Sequence, residues 1–430
     1  MNEDLDLPRH AVVLGAARSG RAAATALIEI GVEVVLADDN PARVESPPCA
    51  VVRTDDHDAL LGERDVLIKS PGVPNQHPLV VAARARAIPV WSEVELGYRL
   101  LPPGARLVGV TGTNGKTTTT ELIGAMLYEA AMPYVVCGNI GLALCDVALE
   151  LPVGVVVVCE LSSFQLEDVV SLHCDAAAIT NLTPDHLDRH HTMEAYERAK
   201  LRIFEEQDEG DRAVLNDDDP RCAELSRIPG AGDLIRVHGA EADSLGFAES
   251  RLLGDHNREN VAVAAALARS VGVTDEAIRA AVVAFQPVPH RLEDCGVVRG
   301  VRFWNDSKAT NPDATAKALT AFSDGQVRIV LGGSDKGADV KPLARALAGR
   351  VLCAYLTGPA GTRMAPALAE AGVSAIVCSG FDDAVQRAAT DAQSGQHVLL
   401  APACASFDEF ADYVERGNRF RSIAADLGAV

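Results

Sequence analysis

Short apolar runs punctuated by glycine or proline, each followed by a longer stretch with apolar residues three or four apart, recur from one end of the chain to the other. "AVVLGAARSGRAAATALIEIGVEVVLADDN" (residues 11–40) reads as strand, glycine turn, helix and a second strand that closes on acids. "LIKSPGVP" (67–74) adds a strand and a Ser-Pro-Gly turn. "ARLVGV" reads as a buried strand and "TTTELIGAMLYEA" as a helix, with a glycine-rich turn between them. "VGVVVVCELSSFQLED" is a strand ending in Glu160, "DAAAITNLTPDHLDRH" one ending near Asn181, and "EAYERAKLRIF" a charged helix. Beyond residue 290, "VRIVLGG", "VLCAYLTG" and "HVLLAPA" read as strands, and "DEFADYVERGNRFRSIAADL" as a helix. Continuous apolar strands alternating with helices predict an α/β protein whose sheets are mostly parallel and covered on both faces.

Two punctuated stretches, "YRLLPPGARL" and "QPVPHRLEDC", divide the chain into three blocks. The first and last read as Rossmann-like α/β units, and no short repeat is visible. In the first, Gly15, Ala17 and Gly20 occupy the three positions of G-x-G-x-x-G, and Asp38 or Asp39 ends the second strand. That pattern serves either a nucleotide diphosphate or a plain tight turn, and alanine at the middle position weakens the dinucleotide reading.

The turn "VTGTNGKTTTTE" (110–121) carries the plainest chemistry. A strand, a glycine-rich turn and a helix cradle phosphate. The N–H groups of Gly112, Asn114 and Gly115 are expected to point inward, Lys116 to reach the β/γ-phosphates and the Thr117 hydroxyl to hold Mg²⁺. Val110 stands where the Walker pattern has glycine, with Gly109 and Gly112 on either side. Glu160, at the end of a following strand, is placed to bind the same Mg²⁺. His186 reads either as part of a polar helix start or as a metal ligand.

Composition narrows the class. The ten cysteines are scattered singly with no C-x-x-C pair, which predicts reduced thiols in a cytoplasmic enzyme. A net charge of −21 disfavours general nucleic-acid binding, which needs surplus cations, and leaves room for a small anionic substrate met by local cations. No apolar run approaches the roughly 20 residues of a membrane helix, and the acidic amino terminus does not read as a signal peptide. Among reaction classes, hydride transfer is weakened by Ala17, and a kinase leaves two blocks without a task. An ATP-dependent ligase needs three binding places and suits three blocks. Its chemistry converts a carboxylate into an acyl phosphate that an amine displaces, and each step gathers negative charge for Mg²⁺ and lysines to offset.

Taken together and in order, "GVTGTNGKTTT", "CGNIG", "CELSSFQLE", "NLTPDHLDRHHTMEAYERAKLRIF", "GDHNRENVAVAAA", "PHRLE", "WNDSKATNPDAT", "LGGSDKGAD" and "PACASFDEF" resemble the Mur ligase family. The resemblance runs from Gly15 to about Phe420. Its carboxy-terminal turns are most similar to those of the members that add D-glutamate to UDP-N-acetylmuramoyl-L-alanine in peptidoglycan precursor synthesis.

The resemblance implies a UDP-substrate domain over residues 1–98, an ATP-binding central domain over 99–288 and a D-glutamate domain over 289–430; the short Pro-punctuated links between them predict closure on binding, and a monomer is expected. It implies that Lys116, with Gly112, Thr113, Asn114, Gly115, Thr117 and Thr118, holds the ATP phosphates. Thr117 and Glu160 would bind one Mg²⁺; Glu160, His186 and a CO₂-derived carbamate on Lys200 would bind a second. Read from its charged helix alone, Lys200 is a surface residue, and only the resemblance gives it this part. Asn257, Asn260, Arg291 and Asp306 match positions facing the base and ribose of ATP. Ser70, Pro71, Gly72, Asn139, Asp38 and Asp39 match positions facing the UDP substrate. Lys336 would pair with a carboxylate of D-glutamate, while Lys308, Thr310, Ser406 and Tyr413 line the rest; the family has phenylalanine at the last position. Lys308 fits either the amino-acid pocket or the transferring phosphate, and His186 is one candidate for the base that deprotonates the incoming amine.

Overall fold

The computed structural model describes residues 7–44, 46–335 and 337–429. It holds three open sheets. The first contains β1 (His10–Leu14), β2 (Glu33–Ala37), β3 (Val51–Val52), β4 (Val66–Lys69) and β5 (Val90–Ser92), ordered β3-β2-β1-β4-β5 and parallel throughout. The second contains β6 (Arg106–Thr111), β7 (Tyr134–Gly138), β8 (Val156–Glu160), β9 (Ala176–Ile179), β10 (Arg212–Asn216) and β11 (Asp233–Val237), ordered β11-β10-β9-β6-β8-β7 and again parallel. The third contains β12 (Glu293–Val298), β13 (Val301–Asn305), β14 (Val327–Gly332), β15 (Val351–Thr357), β16 (Ala375–Val377) and β17 (His397–Leu400), ordered β12-β13-β17-β14-β15-β16, with only β12 antiparallel.

Helices cover the sheet faces, so the central strands have no solvent side. All five residues of β8, Val-Val-Val-Cys-Glu, are buried, and this is why its sequence shows no polar alternation. The α/β class and the largely parallel sheets are those expected from the sequence. One predicted helix starts later: the last begins at Tyr413 rather than Asp408, because the Asp412 carboxylate caps it by accepting the N–H of Glu415 at 2.8 Å.

The chain divides into two compact units. The first runs through Leu182 and includes Arg189–Ala248 and Glu259–Val283; the second comprises Thr183–Asp188, Glu249–Arg258 and everything from Ala284. In the first unit, the first two sheets share one apolar cluster in which Leu27, Val94 and Leu96 meet the set of Leu107, Leu144 and Val157. Buried Glu95 adds a polar tie between them. Its carboxylate accepts the N–H groups of Val170, Ser171 and Leu172 as well as the Ser171 hydroxyl and Arg99 Nε. All ten cysteines are unpaired. Among the described residues, no helix is long and apolar enough to cross a membrane.

Candidate active site

β6 leads into the glycine turn, and the helix Lys116–Glu129 starts directly after it. Gly112 and Gly115 take φ of 144° and 84°, in the left-handed region. A Cβ on Gly112 would stand 1.9 Å from Thr180 Oγ1, and one on Gly115 2.2 Å from Asn260 Oδ1, so neither position admits a side chain. Val110, the departure from the Walker pattern, is still inside β6 in register with Glu160, and the turn needs its glycines only from residue 112 onward.

The start of the helix presents N–H groups without intrahelical acceptors, which attract anions. Lys116 Nζ donates to the carbonyls of Gly112 (2.9 Å) and Thr113 (2.7 Å), which holds its charge on the turn. Thr118 is buried in the first helical turn. The Thr117 hydroxyl donates to Glu160 Oε2 at 2.8 Å, and the Asn139 amide donates to Oε1 at 2.9 Å. A hydroxyl against a buried carboxylate at a phosphate-binding turn is a donor set that fits Mg²⁺. Among the described residues, no group of three or more His, Cys, Asp or Glu could hold a metal. A cation here would therefore take much of its oxygen shell from substrate and water.

The inward-pointing amides differ from expectation at one place. The Asn114 N–H donates to Asn181 Oδ1 at 2.9 Å, while Asn181 Nδ2 and the Thr180 hydroxyl both donate back to Asn114 O. That pairing locks the middle of the turn to the end of β9 and removes Asn114 from the donors facing a phosphate. Thr113 is held too: its N–H donates to Asn181 O, and its hydroxyl shares a hydrogen bond with Tyr196. Thr180, Asn181 and Tyr196 are not marked out by the sequence pattern. The usable signal is a pair of polar residues ending an alanine-rich strand that neighbours the phosphate-loop strand.

Lys200 reverses the surface reading of its helix. It is 1% exposed, its Nζ donates to Gly112 O at 2.7 Å, and the amine lies 4.6 Å from the centre of the Tyr196 ring. Two lysines, 116 and 200, thus converge on one carbonyl of the turn. His186 belongs to the other compact unit, with φ of 52° and Nε2 3.7 Å from Asp185 Oδ2.

The candidates for the UDP substrate gather where the first sheet reverses its strand order, at the ends of β1, β2 and β4. The Ser70 hydroxyl donates to Gly15 O at 2.8 Å, and Asp38 accepts the Ala16 N–H at 2.9 Å. A Cβ on Gly20 would stand 1.8 Å from Gly15 O, which explains the third glycine of the pattern; Ala17 is the N-cap of the helix Arg18–Glu29. Asp39 accepts the Thr54 hydroxyl and faces His77, both of which hold its carboxyl below the usual range. Gly72 stands in open space. Asn139 departs from the group, since its amide is engaged with Glu160. Arg189, which the sequence pattern does not single out, donates to Pro71 O (2.6 Å), Val73 O (3.2 Å) and Glu167 Oε2 (2.7 Å), and so ties the Ser-Pro-Gly turn to the second sheet's side of the unit.

In the second unit, Lys308 Nζ lies 5.2 Å from the centre of the Tyr413 ring, and the Thr310 N–H donates to Lys308 O at 2.8 Å. Ser406 is buried in the turn after β17. Asp306 is buried with its N–H on Leu400 O; burial pushes its carboxyl up to about 7, opposed by Arg291 and the Leu292 N–H. Asn257 donates to Leu253 O, whereas Asn260, on the same helix, belongs to the first unit beneath Gly115. Lys336 lies outside the described residues.

Family profiles match two stretches: the Mur ligase middle domain over residues 110–268, and the Mur ligase glutamate ligase domain over residues 290–404. UDP-N-acetylmuramoylalanine–D-glutamate ligase of Sphingopyxis alaskensis is 42% identical over 437 residues, covering 98% of both chains. The enzyme of the same name from Zymomonas mobilis is 40% identical over 439 residues, covering 96% of this chain and 97% of its own. Among solved structures, MurF ligase from Thermotoga maritima, crystallised with ADP, superposes with a TM-score of 0.60 at 17% identity over 99% of this chain and 96% of that one. The structural likeness supports the α/β architecture, the sequence identity goes further, and the chain is a member of the Mur ligase family.

Proposed function

We propose that this chain joins D-glutamate to UDP-N-acetylmuramoyl-L-alanine at the expense of ATP, through an acyl phosphate, in the cytoplasmic synthesis of peptidoglycan precursor. The observation that carries the reading is the phosphate turn with Thr117 hydrogen-bonded to buried Glu160, in a chain about 40% identical along its length to D-glutamate ligases. We assign the UDP substrate to residues 1–98, ATP to 99–288 and the amino acid to 289–430.

Placement supports the following roles. Lys116 and the first amides of its helix bind and orient the ATP phosphates. Mg²⁺ held by Thr117 and Glu160 would offset charge on the phosphates during transfer. Ser70 and the turn it braces orient the UDP substrate. We assign the amino-acid pocket to Lys308, whose amine lies 5.2 Å from the centre of the Tyr413 ring, together with Thr310, Ser406 and Lys336 as a further cation. His186 is our candidate for accepting the proton of the incoming amine.

The carbamate on Lys200 has a physical rationale in the burial of that amine. A buried ammonium is costly. Attack of neutral Nζ on CO₂ forms a C–N bond, opens one C–O π-bond and releases a proton, leaving an anionic ligand beside the turn.

The test is phosphate release by the purified chain with Mg-ATP and UDP-N-acetylmuramoyl-L-alanine, with D-glutamate, L-glutamate, meso-diaminopimelate or no amino acid. Release that depends on D-glutamate, falls in Lys200→Ala and returns partly with added short carboxylates is expected. Release indifferent to the amino acid, or specific for another acceptor, overturns the assignment.

A further inference from the structure

Among the described residues, Arg416 heads the fully buried side chains by size, at 2% exposure, in the first turn of the helix Tyr413–Asp426. Its guanidinium meets three turns. Nε donates to Ser307 Oγ at 3.0 Å, and Nη2 donates to Ser307 O at 2.9 Å and to Cys404 O at 3.0 Å. The Ser307 hydroxyl passes on to Tyr413 O at 2.8 Å. Nη1 is buried without a hydrogen-bond partner and faces Gly333, where an added Cβ would lie 3.2 Å away. Gly333 itself has φ of 132°, and the same Cβ would stand 2.2 Å from Ala405 O, so the Gly-Gly turn lies flat against its neighbours only because it lacks a side chain.

These turns follow β13, β17 and β14, three strands adjacent in that order in the third sheet. Ligands of open α/β sheets bind beyond such strand ends. The turns also carry Lys308, Ser406 and the Gly332–Gly333 step. No carboxylate pairs with Arg416 among the described residues, and burial pushes its guanidinium down to about 10. The Asp408 carboxylate opposes that fall from a distance without forming an ion pair, and a buried cation held in no ion pair acts strongly on any anion brought near, because little water screens it.

We propose that Arg416 is the positioning residue of the amino-acid pocket: it ties two of the turns by their carbonyls and packs against the third at Gly333, and its charge, held in no ion pair, favours an acceptor with two carboxylates over one with a neutral side chain. This rests on the ligase reading above and extends it to a residue outside the expected pocket.

The test uses the full chain and the phosphate-release assay, titrating D-glutamate, ATP and the UDP substrate separately in wild type, Arg416→Met and Arg416→Lys. Inhibition by glutarate, a dicarboxylate that lacks the amine, is read alongside. In Arg416→Met the KM for D-glutamate rises about 10- to 100-fold and glutarate inhibition weakens in parallel, as expected for losing a buried charged donor, while the KM values for ATP and the UDP substrate stay within about twofold. Arg416→Lys restores the charge but not the fork, so glutarate inhibition returns while the KM for D-glutamate stays about fivefold high. A D-glutamate KM unchanged in Arg416→Met, or one that rises together with the KM for ATP, overturns the proposal. Should Arg416→Met not fold, the Lys variant decides alone: an unchanged KM for D-glutamate refutes the positioning. Wild-type release that ignores D-glutamate would instead remove the ligase reading and leave the hub geometry without its substrate.

Discussion

Glu93→Gln should make the protein less sensitive to pH, by an amount the structure sets. Glu93 opens the helix Glu93–Arg99 and is 1% exposed. Its Oε1 accepts the Cys145 N–H at 2.7 Å, and Oε2 is buried with no partner. Burial pushes the carboxyl from its ordinary 4.5 up to about 7; the Cys145 N–H and Arg18 oppose this, and Asp146 adds to it. Because the folded value lies above the unfolded one, the native state keeps a proton that the unfolded chain has already lost. Stability therefore falls as pH rises from about 4.5, and the loss levels off above about 7. The gap between those values, at about 1.4 kcal/mol per pH unit, comes to about 3 kcal/mol.

Glutamine keeps the acceptor for Cys145 and carries no charge at any pH. Its NH₂ replaces the unpartnered oxygen and itself costs about 1–3 kcal/mol if unpaired, so the informative quantity is the slope rather than the offset. Urea unfolding of both proteins at pH 5, 6, 7 and 8 should show the variant gaining on wild type by about 2–3 kcal/mol across the series. Asp306, also pushed up to about 7 by burial, slopes both proteins alike and cancels in the difference. A difference that is flat across pH, or that shrinks as pH rises, refutes the reasoning.

Gly112→Ala places a methyl 1.9 Å from Thr180 Oγ1 at a φ of 144°, so the turn must shift; kcat/KM for ATP is expected to fall about 100-fold, and turnover within a few-fold of wild type would count against the phosphate-turn assignment. Arg189→Met removes the donors to Pro71 O and Val73 O, and should raise the KM for the UDP substrate about 10-fold with the KM for ATP unchanged; an equal rise in both would mean the residue only holds the unit together.

Chemistry written in consecutive residues is legible in the amino-acid sequence. The phosphate turn needs only a strand, "TGTNGKT" and a helix start, all of which are local, and the parallel sheets follow from apolar runs with no polar alternation. Glu160 is also readable, because the end of a strand is a place the pattern marks. Periodicity misleads where a residue's burial depends on what packs against its helix. Lys200 sits on a charged helix, yet it is enclosed because that helix lies over the phosphate turn and its amine reaches Gly112 O, 88 positions away.

Arg416 is hidden from the linear pattern for the same reason: its partner Ser307 lies 109 positions earlier, and they meet only because β13, β17 and β14 are neighbours in the sheet. The side-chain inventory, the turn chemistry and the α/β class belong to the sequence alone. Strand order and helix placement decide which of those side chains lose water and whom they meet, since desolvation and hydrogen-bond geometry depend on distances that a linear pattern does not contain.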